Sequence, residues 1–207
     1  MGAGKTRKHW PFKFAVFGSS ASDYAKEQEQ LAVELARALV DSDVKILTGG
    51  GRGLPGVVAK TVHLMGGHAV AYSPKGTPEG FDGMHDSLER DYFKQVVWLE
   101  GFAVRSLKMI QDCDAAIVIN GRMGTLSEYA LAFEEGVHLG VLTGSGGAAD
   151  VLPFLHRKLG NSMQDKKHRV NKANLFESNP RKLVKDLIDC IERRKVVEGG
   201  RLNAFCP

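Results

Sequence analysis

The sequence predicts an α/β protein, an open parallel sheet with helices on both faces. Three observations carry this. Short apolar runs alternate with stripes at helical spacing from residue 12 to residue 191. One run, Ala115 to Ile119, is apolar at every position, as a strand covered on both sides must be. Two runs end in glycine turns that lead into helices, Thr48-Gly49-Gly50-Gly51-Arg52-Gly53-Leu54-Pro55-Gly56 and Asn120-Gly121-Arg122-Met123-Gly124-Thr125-Leu126-Ser127-Glu128.

Phe12 to Phe17 reads as a buried strand broken by Gly18-Ser19-Ser20. Ser20 or Ser22 is positioned to cap the next helix, whose Leu31, Leu35, Ala38 and Leu39 share one face. Val44 to Leu47 forms a second strand running into the triple glycine. Val57, Val58, Thr61, Val62 and Met65 then mark a helix closed by Gly66-Gly67. His68 to Tyr72 is the third strand and completes a βαβ unit. Residues 73–92 read as a long irregular connection with Met84, His85 and several acids, of the kind that covers sites. Val96 to Leu99 is a strand, Val104 to Asp112 a helix, and Ala115 to Ile119 the central strand. A helix from Thr125 aligns Leu126, Ala130 and Phe133, and Leu139 to Leu142 is one more strand before Gly144-Ser145-Gly146-Gly147. Val151, Leu152, Phe154 and Leu155 begin another helix. After a basic polar loop, Asn179-Pro180 opens a last helix, whose Leu183, Val184, Leu187, Ile188 and Ile191 form a core or subunit-interface stripe. The organisation expected is a basic N-terminal tail over 1–11, one Rossmann-like domain over 12–195 and a C-terminal tail over 196–207.

The chain of 207 residues is long enough for one sizeable core. Its net charge of +4 is partly made by the ends, Lys5, Arg7, Lys8, Arg193, Arg194, Lys195 and Arg201, with Lys166, Lys167, His168 and Arg169 in a late loop, and these read mostly as solvated charge. No aromatic-interleaved basic stripe accompanies it, so no nucleic-acid partner is expected. Cys113, Cys190 and Cys206 are odd in number and far apart, which gives no disulfide framework, no metal knuckle and a reducing compartment. No segment approaches the ~20 apolar residues of a membrane span and no signal-peptide core is present, so the expected location is cytoplasmic with no membrane partner. Gly2-Ala3-Gly4-Lys5-Thr6 imitates the end of a phosphate-binding P-loop but lacks the preceding strand and first glycine. No GxGxxG follows the first strand, which argues against a dinucleotide-dependent dehydrogenase, and no cofactor or metal is expected.

In an open parallel sheet, ligands bind beyond the carboxyl ends of the strands. Ser19, the Gly49, Gly50 and Gly51 turn, Arg105 near the start of its helix, and the turn with Gly121, Arg122, Gly124 and Thr125 all fall on that edge. Strand-to-helix turns of this kind leave N–H groups unpaired, and the helix dipole adds positive potential. Two of them suit a nucleotide-sized anion. Thr125 and Glu128, three residues apart, share a helix face and place acid chemistry beside a phosphate. Taken alone, Glu128 would be a dipole-complementing residue, Arg105 a solvated helix residue, Gly49 to Gly51 a tight turn, and His85-Asp86 a surface loop. Arg122 either adds a cation at the phosphate or closes space that a glycine would leave open.

From about 12 to 192 the residues resemble the Lonely Guy (LOG) family, cytokinin-activating phosphoribohydrolases often mislabelled lysine decarboxylases. The family turns are GGGxxGLMG and PGGxGTxxE, with an arginine in an MHxRK segment. Here Gly49 to Gly56 keeps the first with Pro55 for methionine. The second keeps Gly121, Gly124, Thr125 and Glu128 but has Asn120 for proline and Arg122 for glycine. Arg105 is present, with Phe102 and Ala103 for the Met-His pair and Ser106 for the lysine. The resemblance implies hydrolysis of the N-glycosidic bond of a purine-type nucleoside 5′-monophosphate to free base and ribose 5-phosphate. It makes Arg105 and Glu128 catalytic, with Ser19, Gly49, Gly50, Gly51, Gly121, Arg122, Gly124 and Thr125 holding the nucleotide. It also implies a homodimer or higher homo-oligomer. The alternative is a non-catalytic carrier or sensor similar to the LOG-like molybdenum cofactor carriers. Nothing nominates the Schiff-base lysine that a pyridoxal-dependent decarboxylase needs.

Overall fold

The computed structural model describes residues 10–21, 23–160 and 173–199. Along them run β1 (Phe12–Phe17), α1 (Lys26–Asp41), β2 (Val44–Thr48), α2 (Leu54–Leu64), β3 (Ala69–Ser73), α3 (Pro78–Asp82), β4 (Gln95–Trp98), α4 (Phe102–Gln111), β5 (Ala115–Ile119), α5 (Met123–Glu134), β6 (His138–Leu142), α6 (Gly147–Leu155), β7 (Asn174–Glu177) and α7 (Pro180–Gly199). The seven strands form one sheet in the order β4-β3-β2-β1-β5-β6-β7, and every pairing is parallel. The α/β open parallel sheet is as expected. The chain steps outward from β1 to β4, then returns to lay β5 against β1 and steps outward the other way. That reversal opens a crevice at the carboxyl ends of β1 and β5.

Side-chain alternation sorts the core into two layers. Phe14, Val16, Ile46, Ile117 and Ile119 pack under α1, α2 and α7, against Leu35, Leu39, Val58, Val62, Leu183 and Leu187. Ala15, Phe17, Leu47, Val118 and Val141 face Met109 and Ile110 of α4, Tyr129 and Ala132 of α5 and Leu152 of α6. β5 is buried at all positions, which its uninterrupted apolar run requires. Gly140 on β6 lets α7 close: a Cβ there would lie 2.8 Å from Leu187 Cδ1. The stripe on α7 is therefore core, with Leu183, Val184, Leu187 and Ile191 buried.

Several local expectations are corrected. The first helix is not capped by Ser20, whose carbonyl instead accepts the Gly53 N–H at 2.9 Å. It starts after Ala25, whose N–H donates to Gln28 Oε1 at 2.9 Å. The connection 73–92 holds α3, opened by Pro78 and capped by Thr77, whose Oγ1 accepts the Gly80 N–H at 3.1 Å, and a 3₁₀ turn at Arg90–Tyr92. β7 was not expected. It is a four-residue edge strand, only partly buried, with too little apolar pattern to announce itself. Cys113 carries a free thiol, whereas Cys190 is disulfide-bonded, a link that the cysteine spacing does not predict. Among the described residues no helix is long and apolar enough to cross a membrane. The N-terminal basic segment with the P-loop-like stretch, Ser22, the basic loop from Lys166 to Arg169, Arg201 and Cys206 lie outside the described residues.

Leu187→Ala should destabilise the protein by roughly 2–5 kcal/mol in denaturant unfolding, because the cavity would lie under β6 where α7 closes the core. Val151→Ala, at a half-exposed position on α6, should change stability by less than about 0.5 kcal/mol. Equal effects would mean that α7 is not part of the core.

Candidate functional site

The crevice between β1 and β5 is framed by three turns. At the end of β1, Gly18 allows α2 to approach, since a Cβ there would sit 2.9 Å from Pro55 Cγ. Ser19 follows, its Oγ accepting the Ala21 N–H at 3.2 Å. The triple glycine after β2 has three separate uses. Gly49 seats the Arg105 guanidinium, for a Cβ there would lie 2.5 Å from Nη1. Gly50 takes φ +76°, open to glycine at little cost, and packs on Phe81. Gly51 lies against Ser20 and bridges to Ser87. The segment after α3 ties this turn down: Leu88 N–H donates to Gly50 O, and Arg52 N–H to Asp86 O, both at 2.8 Å.

Arg105, on the first turns of α4, reaches from its Gly49 seat to Glu128 on α5. Its Nη1 donates to Glu128 Oε1 at 3.1 Å, and the two side chains are 13% and 12% exposed. Ser106 Oγ donates to the same oxygen at 3.0 Å, while Oε2 accepts no hydrogen bond from the described residues. Burial pushes the Glu128 carboxyl above the usual carboxylate range, partly offset by the Arg105 charge and the Ser106 hydrogen bond. Arg105 Nε is buried and makes no hydrogen bond. The exposed Phe102 ring stands 5.9 Å from the guanidinium carbon, within reach of a cation–π contact.

The turn from β5 into α5 has an unusual backbone. Asn120 takes φ +53°, the left-handed region that asparagine tolerates and proline, fixed near −65°, does not reach. Its N–H donates to Ser145 Oγ at 2.7 Å and its Nδ2 to Ser145 O at 2.9 Å. Ala148 N–H donates to Gly121 O at 2.8 Å and Ala149 N–H to Asn120 O at 3.1 Å. The neighbouring β6–α6 turn thus holds the phosphate-type turn in place. Gly121, at φ +107°, has Thr125 where its Cβ would be, 2.5 Å from the Thr125 Cβ. Among the described residues the N–H groups of Met123, Gly124 and Thr125 make no hydrogen bond, and a Cβ built on Gly124 would meet nothing within 4 Å. Three free amides at a helix N-terminus attract an anion.

Arg122 does not stand over those amides. Its guanidinium pairs with Asp23 on the rim of a cavity of about 60 Å³ that Ser19, Tyr24, Leu54 and Asn120 also line. The structure therefore brings Arg105, Glu128 and Gly49 together, with Gly121, Gly124 and Thr125 on the adjoining turn. Ser19 and Arg122 share the rim, and Gly50 and Gly51 turn toward the loop after α3. Ser106 was legible only as a missing lysine, because its contact with Glu128 crosses between two helices. His85 and Asp86 pair on the surface, as a polar loop would.

The model of the SLOG cluster4 family matches residues 11–184. A cytokinin riboside 5′-monophosphate phosphoribohydrolase of Arabidopsis thaliana is 26% identical over 195 residues, covering 91% of this chain and 80% of the relative. A probable enzyme of the same name from rice, Oryza sativa subsp. japonica, is 30% identical over 117 residues, 56% of this chain and 45% of the relative, so the match spans under half of that protein. The molybdenum cofactor binding protein of the phototrophic bacterium Rippkaea orientalis superposes with a TM-score of 0.61 at 18% identity, over 90% of this chain and 96% of that one. DNA processing protein A of Helicobacter pylori, which binds single-stranded DNA, superposes with a TM-score of 0.54 at 16% identity, over 86% and 81%. These two likenesses are of fold.

Asn120→Gly should lower the thermal midpoint by only a few degrees, about 2–4 °C per kcal/mol lost, since glycine takes positive φ freely and gives up only the side-chain hydrogen bonds to Ser145 and Gly121. Asn120→Pro should cost about 3 kcal/mol or more through the forbidden φ and the lost N–H to Ser145. A stable proline variant would show that the turn does not need its left-handed residue.

Proposed function

The chain belongs to the SLOG cluster4 family, and from that premise we propose that it is a phosphoribohydrolase cleaving a purine-type nucleoside 5′-monophosphate into free base and ribose 5-phosphate. The observation that carries this is a largely buried Glu128 whose Oε1 is held by Arg105 and Ser106 while Oε2 stays unbonded among the described residues, one turn along α5 from three unpaired amides. The 5′-phosphate sits on the N–H groups of Met123, Gly124 and Thr125, where the helix dipole adds to the hydrogen bonds. Thr125 and Glu128 are about 4.5 Å apart along the helix axis, on the scale of a ribose ring. As the bond from C1′ to the base nitrogen lengthens, positive charge develops on the ribose, and the fixed carboxylate stabilises it. Water attacks C1′ and gives its proton to Oε2, the base leaves with the bonding pair, and the proton passes on to the base. Arg105 keeps the carboxylate aimed and offers its remaining N–H groups to the ribose oxygens.

Ser19 and Arg122 on the rim, with the Gly49–Gly51 turn behind Arg105, enclose the rest of the nucleotide. The proposal extends to a homodimer in the cytoplasm. Phe102, Val104 and Met123, on the helices beside the second glycine turn, are exposed apolar side chains that support such pairing. The non-catalytic reading keeps one specific support: the left-handed Asn120 reshapes the turn that would grip the phosphate, as a carrier of another phosphorylated ligand would allow.

Purified protein and its Glu128→Gln variant, incubated with a panel of nucleoside 5′-monophosphates, should differ by about 10²–10⁴-fold or more in base released. Retention of a phosphorylated ligand without release by either would establish the carrier. Thr125→Val should weaken monophosphates more than nucleosides, because it disturbs the packing that holds Gly121 and the first-turn amides; equal weakening would place the phosphate elsewhere. Since Glu128 acts ionised and burial pushes its carboxyl above the usual carboxylate range, kcat should fall as pH drops through that raised value. Undiminished turnover at pH 4 would remove Glu128 as the base.

A further inference from the structure

Two donors from adjacent residues of α4 converge on one oxygen of Glu128. Arg105 Nη1 lies 3.1 Å and Ser106 Oγ 3.0 Å from Oε1. Neighbouring residues of a helix point about 100° apart, so a carboxylate accepts both only when it lies between them. Ser106 is 9% exposed, and among the described residues its hydroxyl bonds to Glu128 alone. The pair fixes which oxygen of Glu128 is engaged and leaves Oε2 free, on a side chain that is itself 12% exposed.

We propose that Ser106 is a positioning residue for the reaction: with Arg105 it clamps Oε1 of Glu128 and presents Oε2 to the anomeric carbon. This rests on the phosphoribohydrolase reading. A single donor would leave the carboxylate free to rotate about its last torsion, which is broad and roughly two-fold. Two donors on one oxygen remove that freedom. The chemistry at position 106 also sets the charge beside the carboxylate. Arg105 is the cation that acts on it, and Ser106 adds a hydrogen bond without a second positive charge. Among the described residues Arg105 is the one charge that acts on Glu128, and His156 bonds Tyr129 of α5 rather than the carboxylate. Lys13 of β1 and His138 of β6 stand at the amino ends of their strands, β5 is wholly apolar, and Asp150 of α6 accepts the Gly144 N–H at 2.6 Å. A lysine at 106, as in the segment the chain resembles, would add a cation where this chain has a neutral donor.

The test compares the full chain with Ser106→Ala and Ser106→Thr. It reads kcat and KM on the best nucleoside 5′-monophosphate, and the titration of the Glu128 side-chain carboxyl by ¹³C NMR, assigned with Glu128→Gln. The alanine variant should lose about tenfold in kcat with KM within twofold. Its Glu128 carboxyl should titrate at higher pH than the parent's, because a hydrogen bond to the charged form is gone. Threonine should restore both. Parental kcat with an unmoved titration in Ser106→Ala, or alanine and threonine variants that behave alike, would overturn the proposal. If the parent releases no base from any nucleotide, the phosphoribohydrolase reading fails, and the carboxyl titration alone still decides whether Ser106 holds Glu128.

Discussion

A largely buried guanidinium held between a glycine and a carboxylate is the constraint around which the site is arranged. Arg105 rests on Gly49, from the turn after β2, and bonds Glu128, from the helix after β5, so one side chain joins the two glycine turns. Removing both charges from water costs several kcal/mol per ion, and a single hydrogen bond between them does not offset that fully. The raised carboxyl of Glu128 expresses the imbalance. Such a pair adds little to stability and fixes a geometry. Any Cβ at position 49 would displace the guanidinium, so the triple glycine is best understood as making room for a protein side chain as much as for a ligand.

The sheet supplies the frame for this pair. Reversal of strand order between β1 and β5 leaves a crevice that no helix can bridge, and the turns that border it are stiffened from outside. The loop after α3 pairs with the Gly50–Arg52 backbone, while the β6–α6 turn pairs with Asn120 and Gly121. The departure from a proline at 120 is thus a change of backbone conformation. Asn120 donates its N–H to Ser145, which proline has no hydrogen to do, and it takes a left-handed φ that proline does not reach.

Much of the fold was legible because its signals are local. The apolar run of β5, the glycines closing β2 and the stripe of α7 each lie within a few consecutive residues, and each maps onto a buried element. β7 escaped because a short, half-buried edge strand has no pattern of its own, and α3 because five residues opened by Thr77-Pro78 look like any turn. The site divides in the same way. The amides of the second glycine turn and the Thr125–Glu128 spacing are written along one segment. Gly49 as the seat of Arg105, Ser106 as a donor to Glu128, and Arg122 paired with Asp23, 99 residues away, are tertiary facts that exist only once α4, α5 and the first loop are packed.

The central claim is that α5 holds phosphate at its first turn and presents Glu128 Oε2 to the sugar. A crystal structure of the full chain with ribose 5-phosphate bound tests it most directly. The claim predicts phosphate oxygens on the N–H groups of Met123, Gly124 and Thr125, with C1 of the sugar against Oε2. Phosphate seated instead on the Gly49–Gly51 turn, or a sugar directed away from Glu128, would contradict it.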